Sequence, residues 1–139
     1  MQATFLVQPE QLDSFNGGAK IDWLDDTFRF NIDAYYLDYR KLQVFEFGNT
    51  LNFVLSNADA TVKGVEVEAV AAPSRRFRAG TTFAYMDSRF DTNPTFAGTT
   101  LNYRGNRLPR APKYKVSPFV EANAPLAGGT LLGRISYDY

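Results

Sequence analysis

Residues 61–87, TVKGVEVEAVAAPSRRFRAGTTFAYMD, hold two alternating runs hinged on Pro73-Ser74-Arg75-Arg76. In the first, Val65, Val67, Ala69 and Ala71 oppose Glu66, Glu68 and Val70; in the second, Phe77, Ala79, Thr81, Phe83 and Tyr85 oppose Arg78, Gly80, Thr82, Ala84 and Met86. Period two predicts a pair of antiparallel strands joined by a tight turn, with successive side chains on opposite faces. Glutamates left charged on one face must meet water, because an unpaired carboxylate is costly to bury. Gly64, where the phase is less clear, is expected to mark a bulge or bend.

Four further runs extend the pattern. Phe15, Gly17, Ala19, Ile21 and Trp23 oppose Asn16, Gly18, Lys20 and Asp22, and Phe28, Phe30, Ile32, Ala34 and Tyr36 oppose Arg29, Asn31, Asp33, Tyr35 and Leu37. Only Leu37 blurs that parity. Tyr114, Val116, Pro118, Val120 and Ala122 oppose Lys113, Lys115, Ser117, Phe119, Glu121 and Asn123; Leu131, Gly133, Ile135, Tyr137 and Tyr139 oppose Leu132, Arg134, Ser136 and Asp138. No segment carries a 3.6-residue stripe. The expected fold is all-β, an antiparallel up-and-down meander of six strands at about 15–23, 28–37, 58–72, 77–87, 113–123 and 131–139.

Composition narrows the chemistry. Fifteen Lys and Arg balance fifteen Asp and Glu, so no concentrated basic excess points to nucleic acid. The absence of Cys and His removes thiol catalysis, disulfides and imidazole chemistry. No apolar run reaches the length of a transmembrane helix, about 18 residues, which leaves strands as the way to cross a membrane. The opening MQATFLVQPE lacks a basic segment followed by an apolar one, so it is not expected to be a secretion signal.

Alternation alone fits both a soluble β-sandwich and a membrane barrel, and two further features favour the barrel. Leu24 to Thr27, Pro73 to Arg76 and Pro125 to Gly129 are tight turns, whereas the connections expected at about 45–57 and 89–112 are long. Short turns at one end and long loops at the other are the layout of an outer-membrane barrel. Trp23, Phe28 and Phe77 stand on the apolar parity beside the short turns, and Tyr36, Tyr85 and Tyr114 near the other end. Two aromatic belts around an apolar band suit a bilayer with two interfaces. Lipid then faces the Ala, Val, Phe and Tyr parity. A wet lumen faces Lys20, Arg29, Asp33, Glu66, Glu68, Arg78, Lys113, Lys115, Glu121 and Arg134.

Four segments in order resemble the barrel of the TonB-dependent outer-membrane receptors: QPEQLDSFNGGAKIDWLDDTFRFNIDAYYLDYRKLQV, NADATVKGVEVEA, GTTFAYMDSRFD and GNRLPRAPKYKVS. Phe15 and Asn16 depart from the family's usual Tyr-Glu. The resemblance implies a fragment from the C-terminal half of a barrel of about 22 strands, with residues 1–139 a partial barrel domain that lacks the signal peptide, the plug and the remaining strands. It implies a bacterial outer-membrane location and active uptake of a scarce nutrient, first a ferric siderophore, otherwise cobalamin or a carbohydrate. The partners it implies are outer-membrane lipid, the small-molecule ligand, and the TonB complex through the missing N-terminal part. A passive porin or structural barrel is the alternative, and a soluble β-sandwich binding module a third reading.

Chemistry in the residues themselves is sparse. Glu66 and Glu68 could be read as a glycosidase pair, but lumen carboxylates beside Arg78 or Lys115 on neighbouring strands fit better. Neither an enzyme nor a cofactor is expected, and there is no metal-ligand motif. In the 89–112 connection Asp91, Asn93, Tyr103, Arg104, Asn106 and Arg107 offer donors, charge and an aromatic platform, and are the candidate ligand contacts.

Overall fold

The computed structural model describes residues 7–47, 53–94 and 102–139. Six strands, β1 (Gln11–Trp23), β2 (Phe28–Phe47), β3 (Phe53–Ser74), β4 (Phe77–Phe90), β5 (Tyr114–Leu126) and β6 (Gly129–Ser136), form one sheet in the order of the sequence. The class is all-β, an antiparallel meander. Beyond Ser136 the ladder continues, with Tyr137 N donating to Pro118 O at 3.1 Å and Tyr139 exchanging two bonds with Val116.

The three short turns fall where their residues demand. Asp25 and Asp26 both take positive φ (51° and 62°), as does Leu24 before them (54°), and Thr27 N donates to Leu24 O at 3.0 Å. Ala127 and Gly128 do the same (36° and 85°) between the paired residues Leu126 and Gly129. Two central residues at positive φ match the right-handed twist of a hairpin. The middle turn, at Arg75-Arg76, takes no positive φ; Ser74 Oγ accepts from Arg76 N at 3.3 Å.

The expected parity survives as register. Phe77, Ala79, Thr81, Phe83 and Tyr85 lie opposite Ala122, Val120, Pro118, Val116 and Tyr114, so the apolar positions of β4 and β5 share one face. That face is bare. Trp23 is 68% exposed, Phe77 42% and Tyr114 49%, and the described residues form one sheet without a second to cover it. A sandwich would bury these side chains; lipid accepts them.

One expectation fails. The connection expected over about 45–57 is mostly strand: β2 runs to Phe47 and β3 starts at Phe53, and residues 48–52 between them lie outside the described residues. β2 and β3, with 20 and 22 residues, are about twice as long as the 9–11 residues that a tilted strand needs to cross a bilayer. Their excess belongs to a separate packing unit. The chain divides into two such units: unit 1 is made of Met1–Phe15, Tyr36–Lys63 and Asp87–Ala111, and unit 2 of Asn16–Tyr35, Gly64–Met86 and Pro112–Tyr139.

Unit 2 holds the short turns and the alternating runs, and close approaches tie its strands together. Gly64 is buried and marks no bulge of positive φ; a Cβ there would meet the Tyr35 phenol and the Tyr85 carbonyl. Gly80 lies opposite Phe119, whose ring occupies the space a Cβ would need. Glycine is required at both positions because an aromatic from the next strand covers it.

Unit 1 has a small apolar core of Ala58, Ala60 and Phe90, against which Tyr39, Leu42, Val44, Tyr103 and Leu108 pack. Lys41, at φ 60°, shifts the phase of β2, which is how Tyr39 on an odd position and Leu42 and Val44 on even ones reach the same cluster. The slip is held by polar side chains. Asp59 Oδ1 accepts from Lys41 N at 2.9 Å, and Asn57 Nδ2 donates to Lys41 O at 2.6 Å. Asn57 also exchanges bonds with both backbone groups of Gln8.

Candidate functional site

After β4 the chain returns along its own strand. Gly105 N donates to Phe90 O at 2.8 Å, Phe90 N to Asn106 O at 3.0 Å and Leu108 N to Ser88 O at 3.3 Å, so residues 105–108 act as a short added partner. Asn93 fixes the reversal: its Oδ1 accepts from both Tyr103 N (2.9 Å) and Arg104 N (2.8 Å). Gly105, at φ 80°, takes the left-handed conformation that glycine adopts without penalty.

This fold-back walls a cavity of about 300 Å³ within unit 1. Val44, Phe45, Phe90 and Tyr103, with Pro94 and Pro109, give it apolar and aromatic sides, and Asn106 and Arg107 add polar groups. Tyr103 meets Phe90 edge to face, with centroids 6.3 Å apart and planes at 72°. Arg107 is tethered by Nη2 to Ala111 O at 3.0 Å. An aromatic-lined hollow with a few fixed polar groups is the usual form of a small-molecule site.

Of the six candidate contacts, the structure brings Tyr103, Asn106 and Arg107 to this cavity. Asn93 holds the turn behind it. Asp91 is engaged elsewhere, accepting from Thr61 Oγ1 at 2.6 Å and facing a polar hollow with Lys63, Asp87 and Arg89. Arg104 is exposed, its backbone N held by Asn93. Sequence reasoning misses Phe45, Val44 and Phe90. A phase slip at Lys41 hides the first two, and the third falls inside the stretch expected to be a long connection.

Eight of the ten expected lumen residues, all in unit 2, form three groups. Lys20, Asp33, Glu66 and Glu68 surround one hollow with Asn31 and Thr82; Asn31 Nδ2 donates to Glu68 Oε2 at 2.8 Å, while Asn31 Oδ1 is buried without a partner. Arg29 pairs with Asp22 at 2.7 Å. Arg78 lies opposite Glu121, and Glu121 pairs with Arg134 at 3.5 Å. Lys115 stands opposite Ala84. Lys113 keeps different company, its ammonium 5.9 Å from the Tyr85 ring and 5.3 Å from that of Tyr114, two residues of the apolar parity.

A bare apolar face, a polar opposite face and belts of aromatics define the strands of a membrane β-barrel. A family model described as TonB dependent receptor-like, beta-barrel, matches residues 3–139, and the chain belongs to that family. The family fits a larger barrel, in the bacterial outer membrane, serving nutrient uptake in general. No solved structure matches the chain.

Proposed function

We propose that the chain is a partial barrel domain of a receptor for active uptake, and that the cavity in unit 1 is where its solute is captured. A ferric siderophore is the first choice of solute, cobalamin or a carbohydrate the next. The observation that carries this reading is the cavity itself, aromatic on its sides and bounded by a guanidinium and a carboxamide. Such a lining suits a bulky amphipathic solute with anionic or carbonyl oxygens, since aromatic faces supply contact area and Arg supplies directed donors. Uptake draws on the TonB complex, reached through parts of the receptor outside this chain. The lumen residues keep the opposite face of unit 2 wet and charged.

The test is solute binding by the full-length receptor, read as quenching of intrinsic fluorescence across ferric catecholates, ferric hydroxamates, cobalamin and oligosaccharides. One class should bind, and Tyr103→Ala with Arg107→Gln should weaken it at least about tenfold, as loss of an aromatic contact and a charged hydrogen bond together imply. Unchanged affinity in that double variant would move capture away from this cavity.

A further inference from the structure

The hairpin between β3 and β4 carries a basic hollow that the capture site does not use. Arg75, Arg76 and Arg78 line a cavity of about 240 Å³ together with Ser74, Glu121 and Asn123. All three guanidinium-bearing residues are exposed, and among the described residues neither Arg75 nor Arg76 makes a salt bridge. Glu121, the one carboxylate among the described residues that line the hollow, is engaged by Arg134.

Its frame is built rather than loose. Asn123 holds the turn from the next strand, Nδ2 donating to Arg75 O at 3.0 Å and its backbone N to Arg76 O at 2.9 Å. Phe119 lies over the bare Gly80 and is flanked by the guanidiniums of Arg78 at 5.5 Å and Arg134 at 4.5 Å. Cation–π contact on a fixed ring restrains both arginines. Clustered arginines short of counter-ions form the arrangement that binds phosphate or carboxylate by forked hydrogen bonds, and basic rings select anions in membrane pores.

We infer that this hollow binds a multiply charged oxyanion, a phosphate or polycarboxylate carried by a soluble molecule. Its placement on the lumen wall near the short-turn end rests on the barrel reading; its chemistry rests on the arginines. The anion would accept from Arg75, Arg76 and Arg78, with the Ser74 hydroxyl as a further donor.

The experiment titrates pyrophosphate, and separately citrate, into the full-length receptor in neutral detergent by calorimetry. Binding is expected to weaken as salt rises. Arg75→Gln/Arg76→Gln/Arg78→Gln should weaken it at least about tenfold, while Lys113→Gln and Tyr103→Ala leave it unchanged. A shift in gel mobility on heating reports whether each variant is an assembled barrel. Should the triple Gln variant not assemble, the triple Arg→Lys variant decides, since lysine keeps the charge but loses the fork and should bind several-fold more weakly. Equal affinity in the assembled variants overturns the inference, as does an equal loss from Lys113→Gln. So does displacement of pyrophosphate by phosphatidylglycerol vesicles, which would assign the hollow to lipid headgroups. Loss of solute capture in Tyr103→Ala with pyrophosphate binding intact separates this site from the cavity in unit 1.

Discussion

Polar side chains do different work in the two packing units. In unit 2, apart from Ser74 and Asn123 at the β3–β4 turn, they end in water: Asp22 and Arg29 form a pair whose side chains are 47% and 54% exposed, and Glu66 and Glu68 are exposed along one parity of β3. In unit 1 they hold backbone. Asn57 binds Gln8 and Lys41, and Asp59 binds Lys41 while its main chain takes Thr92 and Asp91. A strand whose two faces meet different solvents needs only alternation to be specified. A strand end that departs from regular pairing needs named groups to replace the ladder bonds it gives up.

The largest effect should come from placing charge on the bare face of unit 2. Arg at Ala69 or Phe83 in the full-length protein should cost about 2–4 kcal/mol if the site lies near the bilayer midplane, whereas Arg at Thr82 or Glu68 should cost far less. Unfolding of the barrel from lipid vesicles in denaturant measures both. Equal costs on the two parities would break the division between lipid and water.

Next comes Gly64→Ala. Its Cβ would meet the Tyr85 carbonyl and the Tyr35 ring, and overpacking of this kind costs about 1–3 kcal/mol. Truncating Tyr35 in the same protein should recover part of the loss, because the ring is one of the two obstacles. No recovery would leave the backbone approach as the whole reason for glycine.

These two experiments bear on what the sequence could and could not disclose. In unit 2 the parity of β4, β5 and β6 is readable in one pass and survives as register, and the hairpin turns sit at Asp25-Asp26 and Ala127-Gly128 where turn chemistry is plain. Beyond Tyr35 the legible pattern ends early. Leu37 reads as a blur, yet it shares its parity with Tyr39, which packs against the unit 1 core; the apolar residues have changed sides. The slip at Lys41 then reverses the phase, and a reversed phase looks like a loop. The unit 1 cavity is half readable for the same reason. Tyr103, Asn106 and Arg107 advertise themselves as polar and aromatic residues in a connection, but Phe45 and Phe90 become lining only once the chain folds back. Asn93 reads as a ligand contact and the structure shows its amide oxygen clamping that fold-back, a role indistinguishable in sequence from that of an oxygen awaiting a solute.

A third prediction sharpens the contrast from the side of unit 1. Asn57→Ala removes side-chain bonds to Gln8 N, Gln8 O and Lys41 O, and leaving such groups unpaired costs about 1–3 kcal/mol where water cannot replace the partner. Hydrogen exchange should therefore speed at the amides of residues 8, 41 and 59 while those of 116–122 keep their protection. Uniform acceleration would mean that the two units open together.

The smallest effect belongs to the ion pair of unit 2. Arg29 Nε meets Asp22 Oδ1 at 2.7 Å, a good geometry, but both side chains are about half exposed and each keeps most of its hydration. Exposed pairs of this kind contribute about 0.2–1 kcal/mol, and a Debye length near 10 Å at 0.1 M salt shrinks to about 3 Å at 1 M, where much of that is screened. Asp22→Asn should lower barrel stability by less than about 1 kcal/mol in dilute buffer, with the difference fading in concentrated salt. Asn57→Ala should show no such fading, since its bonds are short-range and join neutral groups. If the Asp22 variant instead lost several times that amount, and kept losing it at high salt, the polar face of β1 and β2 would be dry. The water assigned to that side of unit 2 would then have to be replaced by a packed protein surface.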